Sequence, residues 1–298
     1  MQMILTLLFD SLSYASWLFI VALGLTLAFG VLRILNIAHG SFYALGAYAT
    51  ATGVGWLGTT GLHDGWSLAL MLGAAVLVTV ALAPWIERWV LRPFQGQDEV
   101  LLVLVTYALF LILEDLTKLI WGVNPYFASQ PYGLFGQIDV GAQTYVGYDL
   151  ALMGVAIALG LLTWAVLTRT RHGKIVLAVI HNPEVAASMG VRVSRVQMLA
   201  FAVSVFLAAL GGALTAPLIS VQPGVSVSVV IVSFAVVIIG GLGSIEGAAM
   251  GALIVGLARG IAVHFAPEVE LFAIYLVMAL VLTFRPHGLV HRLQARKI

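Results

Sequence analysis

The sequence predicts an all-α fold: a polytopic helical membrane protein of about eight to nine transmembrane or re-entrant helices, some of them broken. Two bulk properties and one pattern carry that prediction. Hydrophobic residues make up 61% of the 298 positions and charged residues only 9%, whereas a soluble domain carries about 25% charge. Mean hydropathy reaches +1.07. The pattern is a series of apolar runs near the roughly 20 residues that cross a bilayer. Short polar or basic connections separate them, and the whole chain, 1–298, reads as a single membrane domain.

The first run, residues 12–32, carries no charge until Arg33. Residues 1–10 lack the basic stretch and small-residue cleavage site of a signal peptide, so this run is expected as a retained helix. A polar interruption follows at Asn36-Ile37-Ala38-His39-Gly40-Ser41, and apolar sequence resumes over 42–56. Further runs cover 67–86, 100–121, 150–167, 196–219, 225–241, 247–265 and 271–284. Several are short enough to be half-spanning.

Lysine and arginine set the orientation. Arg88 and Arg92 mark one connection; Arg169, Arg171, Lys174, Arg192 and Arg195 mark a second; Arg285, Arg292, Arg296 and Lys297 mark the tail. All three are expected to be cytoplasmic. Residues 58–66 and 122–149 contain neither lysine nor arginine and are expected outside. Nine spans fit this pattern with the N-terminus outside and the C-terminus inside.

Net charge is +1, which suits lipid surroundings and indicates no nucleic-acid partner. The absence of cysteine excludes disulfides, thiolate chemistry and Cys-ligated zinc. Residues 36–47 and 240–252 each place a Gly-Ser break inside apolar sequence, followed by a Gly- and Ala-rich run. Paired breaks in the two halves point to an internal inverted repeat and a path built from discontinuous helices. The alternative is that each break is a tight turn between two spans.

In the first break, Asn36 and Ser41 can cap helix ends and Gly40 permits close approach. Arg33 and His39 are costly against lipid, so they should face a cavity, a partner helix or the interface. Asn36, His39, Ser41 and Tyr43 are therefore candidates for a substrate path, and an interfacial turn with a satisfied histidine explains them equally. No second histidine or carboxylate stands at ligand spacing, so no metal is expected. Glu114 and Lys118, at i,i+4 beside Asp115, read first as a self-neutralising pair near the outer surface. Gly243, Gly247 and Gly251 form two overlapping GxxxG spacings suited to helix packing. No Gly-Lys-Ser/Thr occurs, so ATP is not bound by a P-loop here, and no catalytic residues are expected.

The basic connection 169–195 holds the most specific local signal. Asn182 suits an N-cap, Pro183 the first helical position and Glu184 the first turn, while Gly190 suits the helix end. A capped helix in a cytoplasmic loop offers a docking surface; an amphipathic interfacial helix is the alternative.

At these residues the chain resembles known families. Glu184-Val185-Ala186-Ala187 followed by Gly190 is similar to the Glu-Ala-Ala loop of bacterial ABC importer permeases. Residues 25–43, together with His181-Asn182-Pro183-Glu184, Gly240-Gly241-Leu242-Gly243-Ser244 and Arg285-Pro286-His287-Gly288-Leu289, resemble the LivH-like branched-chain amino-acid permeases. Four motifs in order span nearly the whole chain. The resemblance implies a bacterial inner-membrane permease that imports branched-chain or other small hydrophobic amino acids. Its implied partners are a second homologous permease, two ABC ATPase subunits that bind the ATP, so that this chain needs no cofactor, and a periplasmic solute-binding protein. Asn182, Pro183, Glu184, Ala187 and Gly190 would then form the ATPase-coupling helix. The same superfamily includes permeases for urea, short amides and aromatic acids. A secondary transporter would need intramembrane carboxylates, for which Glu114, Asp115 and Glu246 qualify. A channel would need a ring of polar groups and no docking helix.

Overall fold

The computed structural model describes residues 2–60, 63–140 and 143–290. Helix α1 (Gln2–Leu32) begins about ten residues before the uncharged run, because Asp10 interrupts hydropathy without interrupting helical hydrogen bonding. At 31 residues it is about 46 Å long, more than the roughly 30 Å hydrocarbon core, so it is long enough to tilt or to extend beyond that core. α2 (His39–Thr60) and α3 (Trp66–Trp85) follow; α3 runs on through a π-helical turn at Ile86–Leu91 and a 3-10 turn at Arg92–Phe94. In that turn buried Glu87 accepts both the Nη2 of Arg92 at 2.7 Å and its Nε at 3.2 Å. α4 (Glu99–Trp121) starts under an Asp98 cap, whose carboxylate accepts from the Val100 amide at 3.0 Å.

The long connection after α4 contains an antiparallel hairpin, β1 (Gln137–Val140) with β2 (Gln143–Val146), in the register Ile138 opposite Tyr145. Then come α5 (Gly147–Arg169), α6 (Arg171–His181), the short α7 (Pro183–Ser188), α8 (Val193–Thr215), α9 (Val225–Gly240), α10 (Ile245–Phe265) and α11 (Glu270–Phe284). Among the described residues, seven helical stretches are long and apolar enough to cross a membrane. The nine apolar runs of the sequence are these seven plus α2 and α9. α9 has only 16 residues, and α2 is rich in Gly, Ser, Thr and Tyr. Both begin inside the fold rather than at its surface.

α1 and α8 form the centre, with α2, α9 and α10 packed around them. α3, α4, α5 and α11 lie outside and present large apolar side chains such as Leu77, Leu119, Ile157 and Phe272. Leu119 is 82% exposed, which water would penalise and lipid favours.

The two ends of the bundle sort by charge. At the basic end Arg33 reaches the α6 carbonyl of Ile180, and Gly30 meets Gly243. The amides of Leu289 and Val290 donate to the carbonyls of Ile239 and Gly240 at 2.9 and 3.0 Å. The closing Arg-Pro-His-Gly-Leu motif thus satisfies carbonyls that the end of α9 leaves free. At the opposite, loop end, Ser13 donates to Asp149 at 3.0 Å, and Tyr126 and Val221 exchange backbone bonds of 2.9 Å. Arg292, Arg296 and Lys297, expected on the basic side, lie outside the described residues.

Candidate functional site

The first break begins at Arg33, which takes a left-handed φ of 56° and ends α1. A residue with a Cβ is strained there by about 1 kcal/mol or more. Its guanidinium spans to α6, donating to the carbonyl of Ile180 at 3.2 Å. Residues 33–38 then turn back into the bundle, and α2 starts at His39. The Nε2 of His39 lies 2.9 Å from the carbonyl of Val21, about 16 Å back along α1 from its end at Leu32. The start of α2 is therefore deep in the bundle.

The second break mirrors it from the loop end. α8 stops at Thr215, the chain folds inward through the Tyr126–Val221 bridge, and α9 starts after Gly224. Gly224 has φ of 91°, which suits glycine because it lacks a Cβ. The two helix starts touch, since a Cβ on Gly40 would strike the backbone carbonyl of Ser226. The counterpart of the 36–41 break is thus 216–224, and the expected pairing with 240–252 is corrected. Residues 241–244 form a tight turn in which Ser244 caps α10, accepting from the Gly247 amide at 3.1 Å.

α4 holds both breaks. The hydroxyl of Thr106 accepts from the Ile37 amide at 3.3 Å and lies 3.3 Å from the Leu35 carbonyl. Glu114 accepts from the Gly224 amide at 3.0 Å and from the Ser226 hydroxyl. Lys118 is 3.9 Å from Glu114 and closer, at 3.3 Å, to Asp115. The i,i+4 spacing suggested a self-contained surface pair; the principal partners of Glu114 are instead at the start of α9.

The four candidate path residues separate. His39 is fully buried, clamped between Val21 and the Ser204 hydroxyl, which is 3.4 Å from Nδ1. Asn36 and Ser41 are buried with polar side-chain atoms that have no hydrogen-bond partner among the described residues. Tyr43 hydrogen-bonds Thr215, and both line a cavity of about 510 Å³ that opens at the loop end. Tyr132 at that end hydrogen-bonds Asp149 at 3.3 Å; burial and the Asp149 charge push its phenol above the ordinary range, keeping it a donor.

Of the three packing glycines, Gly247 and Gly251 lie on α10 where a Cβ would strike the α9 backbone at Gly240 and Val236. Gly243 is in the turn with φ of 81°, so it belongs to no helix–helix GxxxG pair. The spacing missed by sequence reasoning is Gly256 and Gly260, one face further along α10, where Ser11 of α1 lies in contact.

At the basic end, α6 and α7 form a helical pair. The side-chain oxygen of Asn182 accepts from the amides of Glu184 and Val185, each at 3.1 Å. Pro183 opens α7, and Gly190 follows its end at φ of 85°. Ala186 packs inward with Val31 and Val179. Ala187, Glu184, Val185 and Met189 face outward, Met189 being 80% exposed.

The sequence profile described as "Branched-chain amino acid transport system / permease component" matches residues 7–282. The chain belongs to that family. It is 25% identical over 299 residues to the high-affinity branched-chain amino acid transport system permease protein LivH of Escherichia coli K12, covering 98% of this chain and 96% of LivH. It is 26% identical over 304 residues to BraD of Pseudomonas aeruginosa, covering 98% and 97%. To the probable LivH of Methanocaldococcus jannaschii it is 29% identical over 266 residues, covering 85% and 79%. Within this permease family the chain is a multi-pass membrane component of an ABC importer.

Proposed function

We propose that this permease is one of two homologous membrane subunits of a bacterial inner-membrane ABC importer, and that it carries branched-chain or similar small hydrophobic amino acids delivered by a periplasmic binding protein. The observation that carries this reading is the contact of two half-helix starts inside the bundle, one of them tied through Arg33 to α6. Discontinuous helices of this kind border substrate paths in transporters. The α6–α7 pair is the natural seat for an ATPase: its exposed Val185 and Met189 offer apolar anchors, and the Arg33 link gives a mechanical route from that seat to the first break. Asn182, Pro183, Glu184, Ala187 and Gly190 form this coupling element. Closure of two ATPases on ATP would move it and, through Arg33, bias the break between two arrangements.

Tyr43 borders the path directly, whereas His39, Asn36 and Ser41 position the start of α2. Glu114 is occupied by its bonds at α9, which argues against its use as the coupling carboxylate of an ion-driven carrier. Reconstitution with the cognate binding protein, a second permease and the ATPases tests the function. Leucine-loaded binding protein should stimulate ATP hydrolysis and leucine uptake. Stimulation by urea, a short amide or an aromatic acid, with none by leucine, would overturn the substrate assignment.

A further inference from the structure

The cavity bordered by Tyr43 holds a charged cluster that the sequence motifs did not mark. Its roughly 510 Å³ lies in the range of about 300–1,000 Å³ common for small-molecule sites. On α1 its lining runs from Phe9 and Asp10 to Trp17, about 12 Å along the axis. Asp10, Asp149, Arg259 and Glu270 line it, and Trp17, Val229 and Val232 supply apolar wall.

Ionisable groups inside a membrane bundle are costly and are retained where they pair or serve a path. The Nε of Arg259 donates to Glu270 at 2.6 Å, and its guanidinium carbon stands 4.0 Å from the centre of the Tyr14 ring. This fixes the guanidinium while its terminal nitrogens carry no further hydrogen bond among the described residues. Asp149 is oriented by Ser13 at 3.0 Å and Tyr132 at 3.3 Å. Asp10 lies within electrostatic reach of Asp149, Arg259 and His264. Three carboxylates thus share the cavity with one guanidinium and the imidazole of His264, so acidic groups outnumber the basic ones and the Arg259 side keeps spare donors.

That arrangement suits a ligand carrying an ammonium and a carboxylate beside an apolar group. Urea and short amides bring no charge to the carboxylate pair, and an aromatic acid anion would be repelled by it. We propose that the cavity receives an α-amino-acid zwitterion before it reaches the broken helices. Its ammonium lies between Asp10 and Asp149, its carboxylate on the terminal nitrogens of Arg259, and its side chain against Trp17, Val229 and Val232. The proposal rests on the importer reading above and gives its solute a first site on this chain, at the loop end ahead of the broken helices. Arg259 is already half-neutralised by Glu270, so its hold is weak, as transit requires.

The test uses the complete importer in vesicles with radiolabelled leucine and its binding protein. Asp10→Asn should lower maximal uptake about tenfold, equivalent to about 1.4 kcal/mol, with insertion, ATPase association and binding-protein affinity unchanged. Because the chain has no cysteine, Ser228→Cys, on the cavity wall, provides a single thiol. Leucine at millimolar concentration should slow its reaction with an impermeant methanethiosulfonate severalfold, and urea should not. If the wild-type importer moves leucine but Asp10→Asn moves it at the same rate and leucine gives no protection, the cavity proposal is overturned. Protection by urea would overturn the zwitterion assignment. Failure of the wild type to transport leucine, with transport of another solute, would instead remove the importer's amino-acid reading.

Discussion

The carboxylate of Glu114 accepts hydrogen bonds from the amide of Gly224 at 3.0 Å and from the hydroxyl of Ser226, so a side chain of α4 caps the start of α9 across 110 residues of sequence. Thr106, about two turns earlier on α4, bonds the backbone of the first break at Ile37. One outer helix therefore braces both discontinuities, and the bracing depends on polar groups that hydrocarbon cannot replace.

Removing that cap should separate polarity from charge. Glu114→Ala leaves the Gly224 amide and Ser226 hydroxyl without their acceptor, at a cost of about 1–3 kcal/mol per buried group. Glu114→Gln retains an acceptor oxygen and should lose less. Thermal unfolding of the purified permease in detergent should rank wild type above Gln above Ala, and uptake should fall in the same order. Equal midpoints for all three would show that α9 starts without this cap.

His39 and Tyr43 lie four residues apart yet should fail differently. His39 is sealed in the core, so His39→Ala should cost about 2 kcal/mol of stability through lost packing and a lost hydrogen bond and lower the amount of protein in the membrane. Tyr43→Phe removes a hydroxyl on the cavity wall and a bond to Thr215, costing about 1 kcal/mol. It should accumulate normally and alter the uptake rate per molecule. Normal stability of His39→Ala combined with a purely kinetic defect would return His39 to the path itself.

The docking face makes a third test. Gly190 has φ of 85° with open space around it, so Gly190→Trp strains the backbone and adds bulk on the exposed side of α7. Glu184→Lys reverses charge in the first turn, where a negative charge favours the helix dipole. Both variants should insert normally, lose uptake and release the ATPase on purification. Full uptake by both would dissociate α7 from coupling.

Orientation is open to labelling because the native chain offers no thiol. Single cysteines at Gln97 and His172, in the basic connections, should resist an impermeant reagent in intact cells. One at Gln137, on β1 of the loop-end hairpin, should react. Reaction at position 172 from outside would invert the arrangement inferred from lysine and arginine.

The sequence alone determined what depends on bulk hydropathy or on neighbours a few residues away. Apolar run length set the membrane class, and the Asn182-Pro183-Glu184 cap was legible because its donors, Glu184 and Val185, are adjacent in the chain. Tertiary structure decided which groups far apart in sequence satisfy one another. Glu114 looked complete beside Lys118, yet its nearest partners are Gly224 and Ser226. The 36–41 break looked like 240–252 in composition, but its spatial counterpart is 216–224, since composition does not reveal whether a chain turning at Gly and Ser re-enters the bundle or leaves it. The charged cavity of Asp10, Asp149, Arg259 and Glu270 was invisible for the same reason: four helices, α1, α5, α10 and α11, bring together single charges that each look isolated in the chain. Local hydrogen bonding reads along the sequence, while the desolvation cost of an unpaired buried charge is resolved only by whatever partner the packed helices place beside it.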